Sequence, residues 1–448
     1  MSRKHRYHIG IAYLLAFAAA VATTGIAFAV SWISPVDLSG SEPIQDKDRV
    51  AVAAVHGDVV AIWARSQAGT GVTIARRQGT SGTWTKSNPG TIIPGQLVWA
   101  PTVIHSGAEI VAAWAEGSVK GGCDTSHRIV AYSIAGSTTS RRTVKTIHHG
   151  PATTPHVAVN AAGWHMVFAG SDTAADCRAS RHGLYYSFRA AGSQEWSVPT
   201  RVIAHNAAFP DAIQAGVSHP RIATVPGSTT IHIVWEQYEK QTAVVDGSSI
   251  WHASGVAPSS FAATRARLSP VTQQYAVRPS IAITANRVHV AWTQTIGSGA
   301  TPTAQHIWYR TLQSATLTRL NEDLGPVHVN SNFPTFAGSS LFVQAEKVCA
   351  TWHGYYGSAG AGREQVTARC SENSGISWQT PINVSGDTTR LSIFPAISID
   401  PAGLLHFAWA EYELTSNAYQ PVAIFYRNSS PARPESPTLF LPLVSRGK

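Results

Sequence analysis

Hydrophobic and polar residues alternate in short runs along almost the whole chain, and turns rich in Gly and Pro separate these runs. Alternation with a period of two is typical of β-strands that bury one face. One type of run recurs with the same aromatic ending, at spacings of 51 to 67 residues. Its last residues are, in chain order, Trp63, Trp114, Phe168, Trp235, Trp292, Trp352 and Trp409. The pattern predicts one β-rich unit that is repeated seven times.

Each repeat contains four segments with strand character. A first strand, usually opened by proline, precedes the strand that ends in the aromatic residue, as in RPSIAI from Arg278 and FPTFAG from Phe333. A polar loop and a third strand follow, and a fourth strand that often contains Trp-x-x-Pro closes the unit. Four consecutive strands repeated seven times predict an all-β fold, a seven-bladed β-propeller with four-stranded blades.

The seventh repeat lacks its fourth strand, since no Trp-x-x-Pro segment follows Arg427. A segment of this type stands instead at the N-terminus, where SWISPVDLSG at 31–40 nearly matches SWQTPINVSG at 377–386. An open ring would leave the backbone groups at its edge unpaired. We therefore predict that the N-terminal strand completes the last blade and closes the ring, and that the propeller spans residues 30–428.

The two ends of the chain differ in composition from the repeats. Residues 1–29 have a basic start, an apolar middle and the ending Ala27-Phe28-Ala29, which is typical of a secretory signal peptide. The apolar run is also long enough to serve as an uncleaved membrane anchor, but we favour cleavage. Residues 429–448 form a Pro- and Ser-rich tail with a short apolar C-terminal segment. This tail is either a sorting or surface-retention signal or a flexible end that docks on the propeller edge.

The charge of the chain bears on its partners. The formal net charge is +9, and removal of Arg3, Lys4 and Arg6 with the signal peptide leaves +6. The remaining Lys and Arg residues are scattered, without a basic tract or interleaved aromatic residues, so no nucleic-acid partner is predicted. We expect a secreted or cell-surface monomer with no cofactor and with no membrane span after signal cleavage.

The chain has four cysteines, an even number that favours disulfides in an exported protein. Cys349 and Cys370 fall on consecutive strands of the sixth repeat, where a hairpin brings side chains together. Cys123 and Cys177 fall in matching loops of the second and third repeats. We therefore predict these two pairings, both of which need Cα separations of about 4.4–6.8 Å.

Four histidines, His165, His232, His289 and His406, each stand three residues before the aromatic end of a second strand. Each belongs to a different blade at the same height, so the ring holds them apart and they cannot share one ion. We predict that they are packing residues of the repeat, and we predict no metal site.

Candidate binding residues follow from the lengths of the loops. The polar loops after the second strands are long, whereas the turns between first and second strands are short. The long loops should gather with the connections between blades on one face, where binding residues are usually held. We call this the long-loop face. Second-strand ends and the residues beside the first-strand prolines provide the candidate ligand-binding set: Arg49, Arg65, Glu116, His219, Arg221, Gln237, Tyr238, Arg278, Gln294, Glu411 and Tyr412.

The residue two positions after each second-strand aromatic, such as Glu116 or Glu411, can be interpreted as a binding residue or as a structural one. These residues point to the same side of the strand as the aromatic residue itself. In that position they either ring the channel mouth or cap strand ends and bond neighbouring blades.

The segment SENSGISW at 371–378 looks like an Asp-box, Ser-x-Asp-x-Gly-x-Thr-Trp, with Asn373 in place of Asp and Ser377 in place of Thr. Together with the xPxIAI…HVxW core of the repeats, it resembles the bacterial neuraminidase (BNR) repeats of the sialidase-like superfamily over about residues 31–428. The resemblance implies a propeller fold, with Asp-boxes as structural turns on the face away from the site.

The resemblance does not extend to the catalytic motifs of true sialidases. Such enzymes have an Arg-Ile-Pro motif near the first blade, two further arginines, a Tyr/Glu nucleophilic pair and an Asp acid. This chain has no Arg-Ile-Pro, and its nearest echo, Arg221-Ile222-Ala223, lies in the fourth repeat. The resemblance therefore implies the fold more strongly than the activity.

Two functions remain open. The first is a secreted propeller that binds carbohydrate or another polar extracellular ligand at the long-loop face, without catalysis. The alternative is a glycoside hydrolase, such as a sialidase-like exo-glycosidase, or a lyase, and hydrolysis would need two carboxyl groups roughly 5–9 Å apart. Candidate carboxylates, with the first two as the leading catalytic candidates, are Glu116, Glu411, Glu236, Glu413, Asp124 and Asp211. We favour binding.

Overall fold

The computed structural model describes most of the chain. Its described residues are 31–42, 44, 50–65, 71–79, 82–89, 97–107, 109–117, 127–135, 138–146, 152–171, 182–204, 214–225, 227–240, 246–256, 260–270, 275–296, 304–322, 339–355, 364–386, 390–415 and 418–430. By their contacts, the residues form two compact units. These are Ser34–Asn428 and, separately, Met1–Ile33 with Ser429–Lys448.

Within Ser34–Asn428, seven antiparallel blades follow one another along the chain. The short strands β1 (Ser31–Trp32) and β2 (Val36–Asp37) precede the blades in the sequence. Blades 1 to 3 consist of β3 (Ala51–Val55), β4 (Asp58–Arg65), β5 (Gly71–Arg77), β6 (Trp84–Ser87), β7 (Leu97–His105), β8 (Glu109–Gly117), β9 (Arg128–Ala135), β10 (Thr138–Thr146), β11 (Thr153–Asn160), β12 (Gly163–Gly170), β13 (Gly183–Ala190) and β14 (Thr200–Ile203).

The remaining blades have the same order of strands. Blades 4 to 6 consist of β15 (Gln214–Thr224), β16 (Ile231–Lys240), β17 (Asp246–Gly255), β18 (Ala266–Arg267), β19 (Ala276–Ile283), β20 (Val288–Ile296), β21 (Ala304–Thr311), β22 (Thr318–Arg319), β23 (Ser340–Gln344), β24 (Lys347–Tyr355), β25 (Glu364–Ser371) and β26 (Ile382–Asn383). Blade 7 consists of β27 (Leu391–Ile399), β28 (Leu405–Thr415) and β29 (Ala418–Ser430), with β2 paired along β29.

The predicted all-β, seven-bladed propeller is confirmed. Every aromatic residue of the repeat lies in the second strand of its blade and is buried. These large side chains pack between neighbouring blades, and their burial is the main apolar contribution of the repeat to the core. One detail differs, because the described first strand of blade 6 is β23, whereas the predicted segment FPTFAG at 333–338 lies outside the described residues.

Among the described residues, five first strands contain a β-bulge next to proline. The residue before proline has a positive φ of 46° to 56° in each case, and the strand pairing skips that residue and the proline. The five residues are Ala100, Thr154, His219, Arg278 and Phe394. A left-handed conformation is costly for residues with a side chain, and the residue before proline normally adopts an extended one. The repeated bulge therefore fixes an unusual side-chain direction at the same point of each blade.

The repeat histidines pack within their own blades. The Nδ1 atoms of His165, His289 and His406 each lie 2.7 Å from a tyrosine hydroxyl on the third strand. In blade 4, Nδ1 of His232 lies 3.0 Å from Nε2 of His252. Burial lowers the pKa of His165 and His289 to about 4, so both rings are neutral at pH 7. Among the described residues, no three metal-ligating side chains come together.

The segment that looks like an Asp-box forms a closed turn between β25 and β26. Oγ of Ser371 accepts hydrogen bonds from the backbone N–H groups of Asn373 and Gly375, at 3.3 and 2.8 Å. Oδ1 of Asn373 accepts one from the N–H of Ser377 at 2.9 Å. Gly375 has a φ of 78°, and a Cβ at this position would overlap the Tyr309 hydroxyl. The asparagine therefore fills the aspartate position of the motif with its amide oxygen.

The predicted pairing of Cys349 and Cys370 is confirmed. The two residues face each other on β24 and β25 and form a disulfide, although their Cα separation of 4.1 Å is slightly shorter than the expected range. Cys123 and Cys177, the other predicted pair, lie outside the described residues.

The N-terminal segment lies along the outer strand of blade 7. Val36 and Asp37 pair with Tyr426 and Phe425 of β29. The N–H of Leu38 donates to the Ile424 carbonyl at 2.7 Å, and Leu38 is 2% exposed. Closure of the ring requires contacts of this kind, and closure itself stays a prediction.

The other compact unit is described only near its strand pair. Ser31 and Trp32 pair with Ser430 and Ser429. The predicted signal peptide and most of the predicted tail lie outside the described residues. Within the part of the chain that is described, no helix is long and apolar enough to cross a membrane.

Candidate functional site at the channel mouth

The first strands of the blades line a central channel that encloses about 350 Å³. Most of the lining residues are Val, Ile, Ala and Leu. Phe394, one of the five bulge residues, lies at the wall of this channel together with Arg221. The bulges occur near the start of each first strand, which is the end that the long loops share. We call this end the channel mouth.

A half-buried carboxylate joins two bulges at the mouth. Glu236 follows Trp235 on β16, and its Oε2 lies 3.0 Å from Nδ1 of His219 in the bulge of blade 4. The same oxygen accepts a hydrogen bond of 3.1 Å from the backbone N–H of Arg278 in the bulge of blade 5. One side chain therefore fixes the positions of His219 and of the Arg278 backbone relative to each other.

The carboxyl group of Glu236 is ionised at neutral pH. Its burial, the largest single effect, acts to raise the pKa, because water no longer solvates the charge. The charge and hydrogen bond of His219 and the N–H and charge of Arg278 act in the opposite direction, and the pKa falls below its ordinary value. The mouth thus contains a negative charge that is held between the His219 ring and the Arg278 backbone.

Aromatic rings hold the Arg278 side chain at the mouth. Its guanidinium carbon lies 5.6 Å from the centre of the Phe394 ring, on blade 7. The N–H of Phe394 donates to Nδ1 of His353 at 3.4 Å, and the two rings meet edge to face. Tyr412 packs against Phe394 from the other side, with 6.3 Å between ring centres. The cationic group is thus held above a well-packed aromatic cluster.

The residue directly after the second-strand aromatic differs between two groups of blades. It is Glu236 in blade 4, Thr293 in blade 5 and His353 in blade 6, and both Glu236 and His353 accept from the backbone N–H of the next bulge. In blades 1, 2, 3 and 7 the same position holds alanine: Ala64, Ala115, Ala169 and Ala410. This asymmetry is visible in the sequence, from which Glu236 was predicted only as a candidate carboxylate and Thr293 and His353 were not predicted as site residues.

In four blades, the residue two positions after the aromatic accepts a hydrogen bond from the indole N–H of the same blade. The acceptors Glu116, Gln237, Gln294 and Glu411 lie 2.6, 3.2, 3.2 and 2.6 Å from that nitrogen. All four are buried. Glu116 also pairs with Arg128 at 2.8 Å, and Glu411 accepts from Ser392 at 2.7 Å. These contacts give each side chain a structural task, and contact with a ligand stays a prediction.

The other predicted binding residues are dispersed. Arg65 pairs with Ile44 through an isolated β-bridge, and Tyr238 is half-buried on β16. Tyr412 is buried in the aromatic cluster of the mouth. Glu413, one of the candidate carboxylates, pairs with Arg390 at 2.5 Å. Arg49, Asp124 and Asp211 lie outside the described residues.

The indole bonds lead to a stability prediction. Gln294→Leu should lower the free energy of unfolding by about 1–3 kcal/mol, because the buried N–H of Trp292 would lose its acceptor. Urea denaturation of the variant and of wild type would measure the change. Gln78→Leu, at an exposed position, is the matched control and should change stability by less than about 0.5 kcal/mol. Equal stability of both variants would show that the indole bond contributes nothing.

Comparison with known proteins gives information at the level of fold. No protein-family model matches the sequence, and no curated protein matches it. Among solved structures, polysaccharide lyase Uly1 superposes with a TM-score of 0.56 at 10% identity, covering 90% of this chain and 100% of the lyase. At this identity the likeness to Uly1 concerns the fold alone, and the fold of this chain is a seven-bladed β-propeller.

Two further solved structures resemble this propeller with lower TM-scores. Trypanosoma rangeli sialidase has a TM-score of 0.45 at 9% identity, with 88% of this chain and 59% of the sialidase covered. The α-L-arabinofuranosidase of Fusarium graminearum has a TM-score of 0.49 at 12% identity, with 76% of this chain and 98% of that chain covered. At such identities the function has to be argued from the residues at the mouth.

Proposed function

We propose that this propeller binds an acidic carbohydrate at the channel mouth. The observation that carries the proposal is the ionised Glu236, which holds His219 and the Arg278 backbone together at the end of the channel. A guanidinium group presents planar N–H donors that match a carboxylate, and an imidazole adds a further donor. In the proposal, Arg278, His219 and Arg221 recognise the acid group of the sugar.

Two other features support a carbohydrate. Tyr238, half-buried two residues past Glu236, offers aromatic surface on which a sugar ring can pack. Uly1, which has the same fold, is a polysaccharide lyase. We also propose that the chain works outside the cytoplasm, as its N-terminal sequence predicts, and the Cys349–Cys370 disulfide is compatible with that location.

The binding test uses matched pairs of sugars. Oligosaccharides of glucuronic, galacturonic and sialic acid would be titrated calorimetrically, each beside the same oligosaccharide with its carboxyl groups methyl-esterified. We expect at least one acid form to bind at least tenfold more tightly than its ester, since charge-assisted hydrogen bonds contribute about 1.5–3 kcal/mol. Arg278→Gln should weaken binding of that acid form at least tenfold.

Arg265→Gln is the control for this experiment. It makes the same change of charge at an exposed position of blade 4 outside the mouth, and it should leave affinity unchanged. The proposal is wrong if acid and ester forms bind alike, if no acid form binds, or if Arg265→Gln and Arg278→Gln weaken binding equally.

A lyase acting on a uronate is the second candidate, and the His219–Glu236 pair beside Arg278 favours it. Elimination needs a base to remove the proton next to the carboxylate, while the C4–O bond breaks, a C4–C5 double bond forms and the departing oxygen takes up a proton from water. His219 would take the proton, and a guanidinium group would stabilise the charge on the carboxylate. Hydrolysis by Glu116 and Glu411 is less favoured, because both are buried and bonded to tryptophan. Ultraviolet absorbance of unsaturated products would reveal turnover in the same samples.

A further inference from the structure

Below the mouth, the central channel continues as an apolar cavity. It encloses about 350 Å³, which lies within the range of roughly 300–1,000 Å³ for small-molecule sites. Half-buried apolar side chains line its wall, including Ile104, Val159 and Val343 from blades 2, 3 and 6. Water in such a cavity finds few hydrogen-bond partners, so an apolar group that displaced it would gain affinity.

Apart from Thr224, whose hydroxyl donates to the Val159 carbonyl at 2.7 Å near the far end, the polar side chains of the channel wall are concentrated at one end. The residue after the first-strand proline is Thr102 in blade 2, His156 in blade 3, Arg221 in blade 4 and Ser280 in blade 5, and all four line the channel. Arg221 donates to the Pro220 carbonyl at 2.8 Å, which keeps its side chain close to the bulge. Among the described residues that line the channel, none is Asp or Glu. The channel thus has a cationic, hydrogen-bonding end and a long apolar end.

We propose that the channel is a subsite for an apolar aglycone. The ligand would be a glycoside of an acidic sugar, with its carboxylate at the mouth and an alkyl or aryl group extending into the channel. This inference rests on the proposed function, because the sugar acid supplies the group that the cationic end recognises. The polarity of the wall sets the orientation, since the reverse arrangement would place a carboxylate among Val and Ile side chains.

Affinity should therefore rise with the length of the apolar group. Each methylene that leaves water is worth about a fourfold gain in affinity when it is fully buried. A bound octyl group would enter the channel, whereas a methyl group would remain at the mouth. An octyl glycoside should accordingly bind at least tenfold more tightly than the methyl glycoside of the same sugar acid.

The test is calorimetric titration with the methyl and octyl glycosides of glucuronic acid and of galacturonic acid. Octyl glucoside, which has the alkyl chain without the acid, should bind at least tenfold more weakly than octyl glucuronide. We call the ratio of affinities for the octyl and the methyl glycoside the octyl advantage. Val159→Phe should reduce it to less than threefold, because the phenyl ring fills the channel, while affinity for the methyl glycoside is kept.

Val198→Phe is the matched control, since Val198 belongs to the same blade and is 83% exposed. It should keep the full octyl advantage. Thermal melting of both variants establishes that they are folded, and Ile104→Ala, which widens the channel, should also keep or increase the advantage. If methyl glycosides bind and the octyl forms bind no better, the aglycone subsite is wrong and the proposed function stands. If neither glycoside of either acid binds, the aglycone subsite is wrong, and the proposed function fails with it unless the sialic acid oligosaccharide binds in its own titration.

Discussion

Deletion of residues 30–40 is expected to lower the free energy of unfolding by several kcal/mol. The deletion removes Leu38, whose burial alone contributes about 1.5–3 kcal/mol. It also removes the hydrogen bonds that Leu38 and Ser39 form with Ile424, at 2.7 and 3.0 Å. The edge of β29 would then be open to water and to other chains.

The same segment is tied to blade 1. The Lys86 ammonium group donates to the Ser39 carbonyl at 2.8 Å, and it pairs with Glu42 at 3.3 Å. Oε2 of Glu42 in turn accepts from the Thr73 hydroxyl at 3.0 Å. The deletion would therefore weaken contacts with both the first and the last blade, which is why we expect an effect larger than that of losing a loose terminus.

Thermal melting and urea denaturation would measure the effect. Two point variants test whether the buried side chain of the segment, and not only the presence of the segment, stabilises the fold. Leu38→Ala should cost about 2–5 kcal/mol, whereas Val36→Ala, at a side chain that is 38% exposed, should cost less than about 1 kcal/mol. A truncated protein that melts at the wild-type temperature would refute the predicted closure.

Glu364→Gln is expected to stabilise the protein at alkaline pH and to leave it unchanged in acid. Glu364 lies at the start of β25 and is 5% exposed, and among the described residues its Oε2 has no hydrogen-bond partner. Burial raises the pKa of this carboxyl group to about 7. The folded protein therefore keeps the group protonated in acid, where the neutral form is tolerated.

The sign of the pH dependence follows from this raised pKa. Below pH 4.5, the ordinary value, the carboxyl group is neutral in both the folded and the unfolded chain and causes no penalty. Between pH 4.5 and about 7 the unfolded chain ionises first, so stability falls as the pH rises. Above about pH 7 the loss is complete and amounts to about 3 kcal/mol. Glutamine does not titrate, so the variant should escape this loss.

Urea denaturation at pH 4.5 and pH 8.5 would compare the variants. The free energy of unfolding of Glu364→Gln should exceed that of wild type by up to about 3 kcal/mol at pH 8.5 and by close to zero at pH 4.5. Glu372→Gln is the control in the same blade, since that side chain is 54% exposed and pairs with Lys347, and it should change stability by less than about 1 kcal/mol at either pH. A gain at pH 8.5 that is no larger than the control's would mean that Glu364 is hydrated.

The sequence predicts the architecture well because the repeated feature is also the feature that packs. An aromatic residue recurs in every second strand, tryptophan in six blades and Phe168 in the third, at a spacing that fits a four-stranded unit, and it is buried in each blade. The pairing of Cys349 with Cys370 followed for the same reason, since adjacent strands of a known unit fix which side chains face each other.

The site was less accessible to prediction because it depends on contacts between blades. Gln294 and Glu411 were attractive candidates on strand polarity, but alternation along one strand does not reveal that an indole N–H of the same blade needs an acceptor. Glu236 acts across a blade boundary, on the backbone of Arg278. The left-handed bulge before proline was also not predicted, since the residue before proline is normally extended.

The bulges have a consequence for how such a ring can change its specificity. Five blades share one backbone conformation at a position where the side chain is Ala, Thr, His, Arg or Phe. The skipped strand pairing accompanies that conformation in all five blades, so the shape of the scaffold is independent of the chemistry that it presents. Substitutions there can exchange acid, base, cation or aromatic surface around one opening, a blade at a time, while the surrounding β-structure stays constant. Side chains at the mouth can thus vary with little effect on the stability of the fold, and relatives that share the ring need not share a ligand.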